Sequence, residues 1–232
     1  MNNNKVIIDI IIPAFNEEKA IANVLQAIPA TWVRHIFVCD NASTDNTAKV
    51  AKENGAIVVS APQKGYGNAC LRGLAHIQSL TTQPDIVVFM DGDFSDNPHE
   101  LPLLIQPIVE EQKAIVIGSR VLGQAERGAL QFQQRLGNAL ATTLIRWIYG
   151  YSFTDLGPFR AITYAALLRL QMQDKTFGWT VEMQIKAAKL KLPFAEIPVT
   201  YRKRIGTSKI SGTVKGSLFA GYKILWTIWK YR

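Results

Sequence analysis

Five short apolar runs, each followed by a helical pattern or a polar turn, set the strongest limit on how this chain can fold. Residues 6–12, 34–39, 56–60, 85–90 and 114–117 are rich in Val and Ile and read as buried strands. Helical patterns cover about 16–27, 44–54, 68–79 and 99–112, with Asn16 as the expected N-cap of the first. Strand–helix repetition of this kind predicts an α/β fold, a mostly parallel central sheet with helices on both faces. Asn16, Asp40, Lys64, Asp91 and Arg120 each follow one of the strands, on the predicted carboxyl edge. That edge is where open α/β sheets bind ligands, so the five point to one shared site.

The second half has a different rhythm. A long helix is expected over 132–149, and Asp155-Leu156-Gly157-Pro158-Phe159-Arg160 reads as a turn. A helix over 180–190 precedes a strand over 194–201, placed at a sheet edge because Pro198 removes a ladder donor. A basic loop, Arg202-Lys203-Arg204-Ile205-Gly206-Thr207-Ser208-Lys209, leads to a last helix over about 213–231. With no repeat and no clear linker, one domain is expected: 1–120 as one half, 121–212 as the second, 213–232 as an amphipathic helix.

The net charge of +8 is unevenly placed: residues 1–185 hold 15 Lys/Arg and 17 Asp/Glu, residues 186–232 hold 11 and one. A basic end on a near-neutral body implies an anionic partner or a solvated charged face. The two cysteines form no disulfide framework and suit a reducing cytosol. The first residues lack the form of a signal peptide, and no apolar run approaches a membrane span. A cytoplasmic protein is expected. The last helix carries Val214, Leu218, Tyr222, Leu225, Trp226 and Trp229 at helical spacing among Lys215, Lys223, Lys230 and Arg232. It suits either an anionic membrane surface, with the protein peripheral on the inner face, or packing on the domain.

Chemistry concentrates at Asp91-Gly92-Asp93. Acids at the tip of a buried strand are costly unless a positive partner meets them. The glycine lets the backbone turn so that Asp91 and Asp93 can reach one Mg²⁺ or Mn²⁺, with Ser95 as a further oxygen donor. A plain turn cluster is the alternative.

Ile11-Ile12-Pro13-Ala14-Phe15-Asn16-Glu17-Glu18 resembles the opening motif of glycosyltransferase family 2. Asp40-Asn41-Ala42-Ser43-Thr44-Asp45 is similar to its second motif, usually Asp-Asp-Gly-Ser-x-Asp, with Asn41 where the family has Asp. Asp91-Gly92-Asp93 matches its metal-binding Asp-x-Asp, and Gly118-Ser119-Arg120 resembles a segment of its polyprenyl-phosphate branch. These four motifs span about half the chain. The resemblance implies a nucleotide-sugar transferase (GT-A-like) fold and transfer of a hexose from a UDP- or GDP-linked donor to a polyprenyl or dolichyl phosphate, with inversion.

It also implies roles. Pro13, Phe15, Glu17, Asp40, Asn41, Lys64, Asp91, Gly92 and Asp93 would hold the nucleotide-sugar, with Arg202 and Lys209 on its diphosphate; Arg72 near Lys64 is either a helper or a solvated helix residue. Asp155 to Arg160 resembles a family segment beside sugar and acceptor, or else forms a buried Asp–Arg pair. Arg204, Ser208 and Lys209 sit on a basic loop that in the family lies near the diphosphate. Asp93, Asp155 and Arg204 are the expected catalytic residues; Arg120, Arg135, Arg160 and Ser208 are expected at the acceptor. A phosphate acceptor is already an anion and needs cations rather than a base. A hydroxyl acceptor needs a carboxylate base, for which Asp155 and Glu182 are the candidates. A nucleic-acid-binding protein is disfavoured because no reading helix or stacking platform is recognisable, so nucleic acid is not expected as a partner. A dinucleotide oxidoreductase is disfavoured because no Gly-x-Gly-x-x-Gly follows the first strand.

Overall fold

Each apolar run of the first half is a strand in the computed structural model, which describes residues 6–206 and 214–232, the last stretch as backbone only up to residue 220. They are β1 (Ile8–Ala14), β2 (His35–Asp40), β3 (Ile57–Ser60), β4 (Ile86–Phe89) and β5 (Ile115–Ala125). With β6 (Arg160–Thr163) and β7 (Phe194–Tyr201) they form one seven-stranded sheet, in the order β3-β2-β1-β4-β6-β5-β7. The pairs β1/β2, β1/β4, β2/β3 and β5/β7 are parallel, whereas β6 runs antiparallel to both β4 and β5.

The helices are α1 (Ile21–Ala27), α2 (Thr47–Glu53), α3 (Tyr66–Gln78), α4 (Leu101–Glu111), α5 (Phe132–Tyr149), α6 (Tyr164–Leu170), α7 (Trp179–Lys189) and α8 (Val214–Lys230). Alternate strand residues serve opposite faces, as the strand period of two requires. Ile11, Phe37, Val87, Phe89 and Ile117 join α3, α6 and α7 in one apolar cluster. Ile10, Ile12, Val38, Val88 and Val116 join α1 and α4 in the other. The sheet is therefore covered on both sides, which is why its strands read as nearly continuous apolar runs.

Four features depart from the sequence reading. The segment after Pro158 was expected to be only a turn; Arg160 opens β6, which fills the gap between β4 and β5. Its four residues are too short for a periodic signal, and pairing on both sides decides it. The helix α6 was likewise not expected. Asn16 is not an N-cap: it sits at φ +55°, its Oδ1 accepts the Thr44 amide at 2.8 Å, and α1 begins at Ile21. Finally, β5 runs on to Ala125 through a register shift against β7 between Ser119 and Gln124. That irregularity takes residues 120–123 out of the ladder, which re-aims a strand near a site. Pro198 does lie on the sheet's edge strand, β7, whose one neighbouring strand among the described residues is β5.

Candidate active site

The carboxyl ends of β1, β2, β4 and β7 face one cavity of about 310 Å³. Pro13, Phe15 and Glu17 line it from the end of β1, Asn41 from β2, and Lys64, Gly65 and Tyr66 from the start of α3. Asp91, Gly92 and Asp93 come from β4, Phe177 from the approach to α7, and Arg204 from beyond β7. Lys64 Nζ stands 5.1 Å over the Phe15 ring, a cation–π contact at the rim.

Asn41 shapes this cavity through its loop. Its Nδ2 donates to the carbonyls of Ala61 at 2.9 Å and Gln63 at 2.7 Å, while its Oδ1 accepts the Gly65 amide at 2.7 Å. An ionised Asp has no donor for the two carbonyls, so the amide at this position follows from the loop it ties down. Asp40, expected beside it, lies outside the lining and accepts the Ser43 amide at 3.3 Å.

Three carboxylates cluster at the end of β4. Asp93 meets Arg204, with Nη2 2.5 Å from Oδ2, and the same nitrogen lies 3.6 Å from Glu17 Oε1. Ser95, expected as a metal donor, is fully buried and donates its hydroxyl to Asp93 Oδ1 at 2.5 Å, as does its amide at 2.9 Å. It holds Asp93 rather than facing the cavity. Among the described residues Asp91 Oδ1 is out of solvent and has no hydrogen-bond partner, and Asp96 Oδ1 is in the same state. Burial, then the Asp93 charge, pushes the Asp91 carboxyl up to about 7. Burial, then Asp91 and Asp93, raises Asp96 well above the usual range.

Among the described residues Arg204 pairs with Asp93, and no cation forms an ion pair with Asp91. A hard divalent cation fits there. Among the described residues no three His, Cys, Asp or Glu side chains form a ready cage. The remaining ligands would be phosphate oxygens and water, the usual manner for Mg²⁺.

A second cavity, of about 590 Å³, is lined by Arg120, Leu130, Arg135, Asn138, Thr154 and Asp155, among others. Arg120 grips Asp155 in a two-pronged pair, Nε to Oδ2 at 2.8 Å and Nη2 to Oδ1 at 2.7 Å, and its backbone amide adds a third bond. Asp155 is buried and its partner is Arg120, not Arg160. Arg135 projects from α5 at the exposed rim.

Two expected acceptor or base residues are not at either cavity. Arg160 is completely buried and donates to the carbonyls of Leu156, Gly157 and Thr180, with burial lowering its pKa to about 10. It braces the Gly157-Pro158 turn. Glu182 is completely buried on α7 and accepts the amides of Gln173 and Asp174. Arg202 donates to Asn97 Oδ1 at 3.0 Å and stacks 5.1 Å from the Phe94 ring, outside the cavity lining. Ser208 and Lys209 lie outside the described residues. Tyr66, Phe177 and Asp96 were not singled out from sequence. Tyr66 carried a signal in its glycine-flanked loop, whereas Phe177 and Asp96 depend on folding alone.

The family model for glycosyl transferase family 2 matches residues 9–170, which include β1, β4 and the Asp91-Gly92-Asp93 turn. An uncharacterized glycosyltransferase of Mycobacterium tuberculosis is 33% identical over 216 residues, covering 92% of this chain and 94% of the relative. The UDP-N-acetylglucosamine–dolichyl-phosphate N-acetylglucosaminyltransferase of Methanococcus voltae is 31% identical over an alignment of 245 positions, covering 96% and 94%. Among solved structures, glucosyl-3-phosphoglycerate synthase of Mycobacterium tuberculosis shares the fold at a TM-score of 0.78 and 24% identity, over 98% of this chain and 80% of that one. With its sheet, its carboxyl-edge cavity and its motifs in that family's order, the chain belongs to glycosyl transferase family 2.

Proposed function

We propose that this glycosyltransferase moves a hexose from a nucleotide-sugar to a polyprenyl phosphate, with inversion at the anomeric carbon. The observation that carries the reading is the make-up of the second cavity. It presents Arg120 and Arg135, and its one lining carboxylate among the described residues, Asp155, is locked onto Arg120. Glu182, the other candidate base, is buried elsewhere. A hydroxyl acceptor would lack a general base there, whereas a phosphate arrives as an anion and needs only cations to position it. The likeness to the dolichyl-phosphate transferase of Methanococcus voltae supports the same acceptor class.

In this reading the first cavity takes the donor. The walls from Pro13, Phe15 and Asn41 enclose the nucleoside, and Lys64 and Arg204 face its diphosphate. Asp91 and Asp93 would hold Mg²⁺ or Mn²⁺, which when bound supplies positive charge against the leaving diphosphate. Complexes of glucosyl-3-phosphoglycerate synthase contain Mn²⁺ and UDP-glucose. An acceptor phosphate oxygen attacks the anomeric carbon as the bond to the diphosphate breaks, and the electron pair leaves with the nucleoside diphosphate. Arg204 shares that charge once it turns from Asp93.

Peripheral attachment to an anionic membrane belongs to this proposal. Among the described residues no helix is long and apolar enough to cross a membrane. Phe132, Leu136 and Trp147 on α5 and Tyr222 and Trp229 on α8 expose apolar surface, and Tyr149 on α5 bonds the Ile228 carbonyl on α8 at 3.1 Å. Lys230 and Arg232 flank it.

The experiment supplies labelled UDP- and GDP-sugars, Mg²⁺ or Mn²⁺ and polyprenyl phosphate to purified protein, then extracts with organic solvent. Label is expected in the lipid phase. Label that appears only on a water-soluble acceptor overturns the lipid-phosphate reading.

A further inference from the structure

The residues of α8 and its end are tied to two acids far from it in sequence, Asp174, half-buried, and Glu182, fully buried. Lys223 Nζ sits 2.9 Å from Asp174 Oδ2. The Tyr231 hydroxyl, just past α8, donates to Glu182 Oε1 at 2.6 Å. The same two acids shape the segment that leads into α7. Glu182 accepts the amides of Gln173 and Asp174, at 3.0 and 2.6 Å, and Asp174 Oδ1 accepts those of Thr176 and Gly178, at 2.7 and 3.0 Å. Asp174 therefore has one oxygen on the 173–178 segment and the other on Lys223, while Glu182 Oε1 takes the Gln173 amide and the Tyr231 hydroxyl together, beside Lys186 Nζ at 2.7 Å.

That segment is a wall of the first cavity. Its Thr176 carbonyl accepts the Gly67 amide at 3.1 Å, and its Lys175 carbonyl accepts the Asn68 amide at 3.0 Å. The approach is so close that a Cβ on Gly67 would stand 1.9 Å from the Asp174 carbonyl oxygen. Phe177 from this segment and Lys64, Gly65 and Tyr66 from the facing loop all line the cavity. One continuous set of contacts thus runs from α8 through Asp174 and Glu182 to the donor wall.

We infer that Lys223 and Tyr231 are positioning residues: by latching α8 onto Asp174 and Glu182 they hold the 173–178 segment against Gly65–Asn68 and set the donor cavity. The inference rests on the donor reading of that cavity. It gives a regulatory route as well, because the outer face of α8 exposes Tyr222 and Trp229, and displacing α8 loosens the wall that contacts the nucleotide.

The test compares the unaltered protein with Lys223→Met/Tyr231→Phe, with Lys223→Met alone as the milder change and Lys223→Arg as the charge-keeping control. Amide exchange at Gly67 and Asn68 is expected to speed up about tenfold in the double variant, while amides of β1 keep their protection. UDP or GDP with Mn²⁺ is expected to bind about fivefold more weakly, and Lys223→Arg to restore binding. Unchanged exchange at Gly67 and Asn68 overturns the inference, and so does an equal rise in β1, which would mark a general loss of stability. If the unaltered protein binds neither nucleotide, the donor reading falls, and the exchange result still decides the coupling by itself.

Discussion

Arg204 Nη2 lies 2.5 Å from Asp93 Oδ2, so the basic segment after the edge strand closes onto the acidic turn at the heart of the sheet. The two residues are 111 positions apart in the chain, yet they share one cavity wall. Asp93→Asn removes the Arg204 anchor and one of the two acids proposed to hold the metal. Transfer is expected to drop by about 10²-fold or more, with far-UV circular dichroism unchanged. Activity within about threefold of the unaltered enzyme would refute the assignment.

Asp91 predicts a pH signature. Its carboxyl rises from 3.8 to about 7 in the folded, metal-free protein. The folded state therefore holds a proton that the unfolded state has released, and this share of stability is lost as pH climbs from about 4 to 7. Melting curves of metal-free protein and Asp91→Asn should diverge across that window, the unaltered chain losing stability relative to the variant. Protons and metal compete for the same oxygen, so Mn²⁺ affinity should rise with pH up to about 7 and then level off. Titration calorimetry at pH 6 and pH 8 checks it.

Asp155 separates a base from a brace. Its two-pronged pair with Arg120 is nearly shut off from solvent, with the aspartate side chain 1% and the arginine 14% exposed. Replacing it with Asn strands the arginine charge, and a loss of about 3 kcal/mol in folding stability is expected. A denaturant midpoint unchanged by Asp155→Asn, together with lost transfer, would point instead to a base and a hydroxyl acceptor.

Two glycines should respond in opposite ways to alanine. At Gly67 the new Cβ collides with the Asp174 carbonyl, so the 173–178 wall must shift and nucleotide binding should weaken. At Gly137, inside α5, no described residue lies within 4 Å of the new methyl group. Alanine there should stabilise the protein by about 0.5–1 kcal/mol through helix propensity and a less flexible unfolded chain. Thermal melts and nucleotide titrations distinguish the two.

Much of the first half was legible because its strands are buried on both faces and so are written as unbroken apolar runs, each ending in a polar residue. The carboxyl-edge cavity followed from that pattern, and Pro13, Phe15, Glu17, Asn41, Lys64, Asp91, Gly92, Asp93 and Arg204 do line it. What failed to read locally was whatever depended on a distant partner. Ser95 looked like a metal donor and instead holds Asp93. Arg160 looked like an acceptor cation and instead supports a turn through three backbone carbonyls.

The sequence by itself determined the alternating elements, the sheet edge that carries the polar residues and the acidic turn after β4, because hydrophobic period and turn chemistry act over a few residues. The tertiary structure alone decided which charges meet. Arg120 could have paired with any of several acids, Asp155 with either of two arginines, and Glu182 could have faced a substrate. Burial makes an unpaired charge costly, so partners are chosen by the packing that brings them together rather than by spacing along the chain.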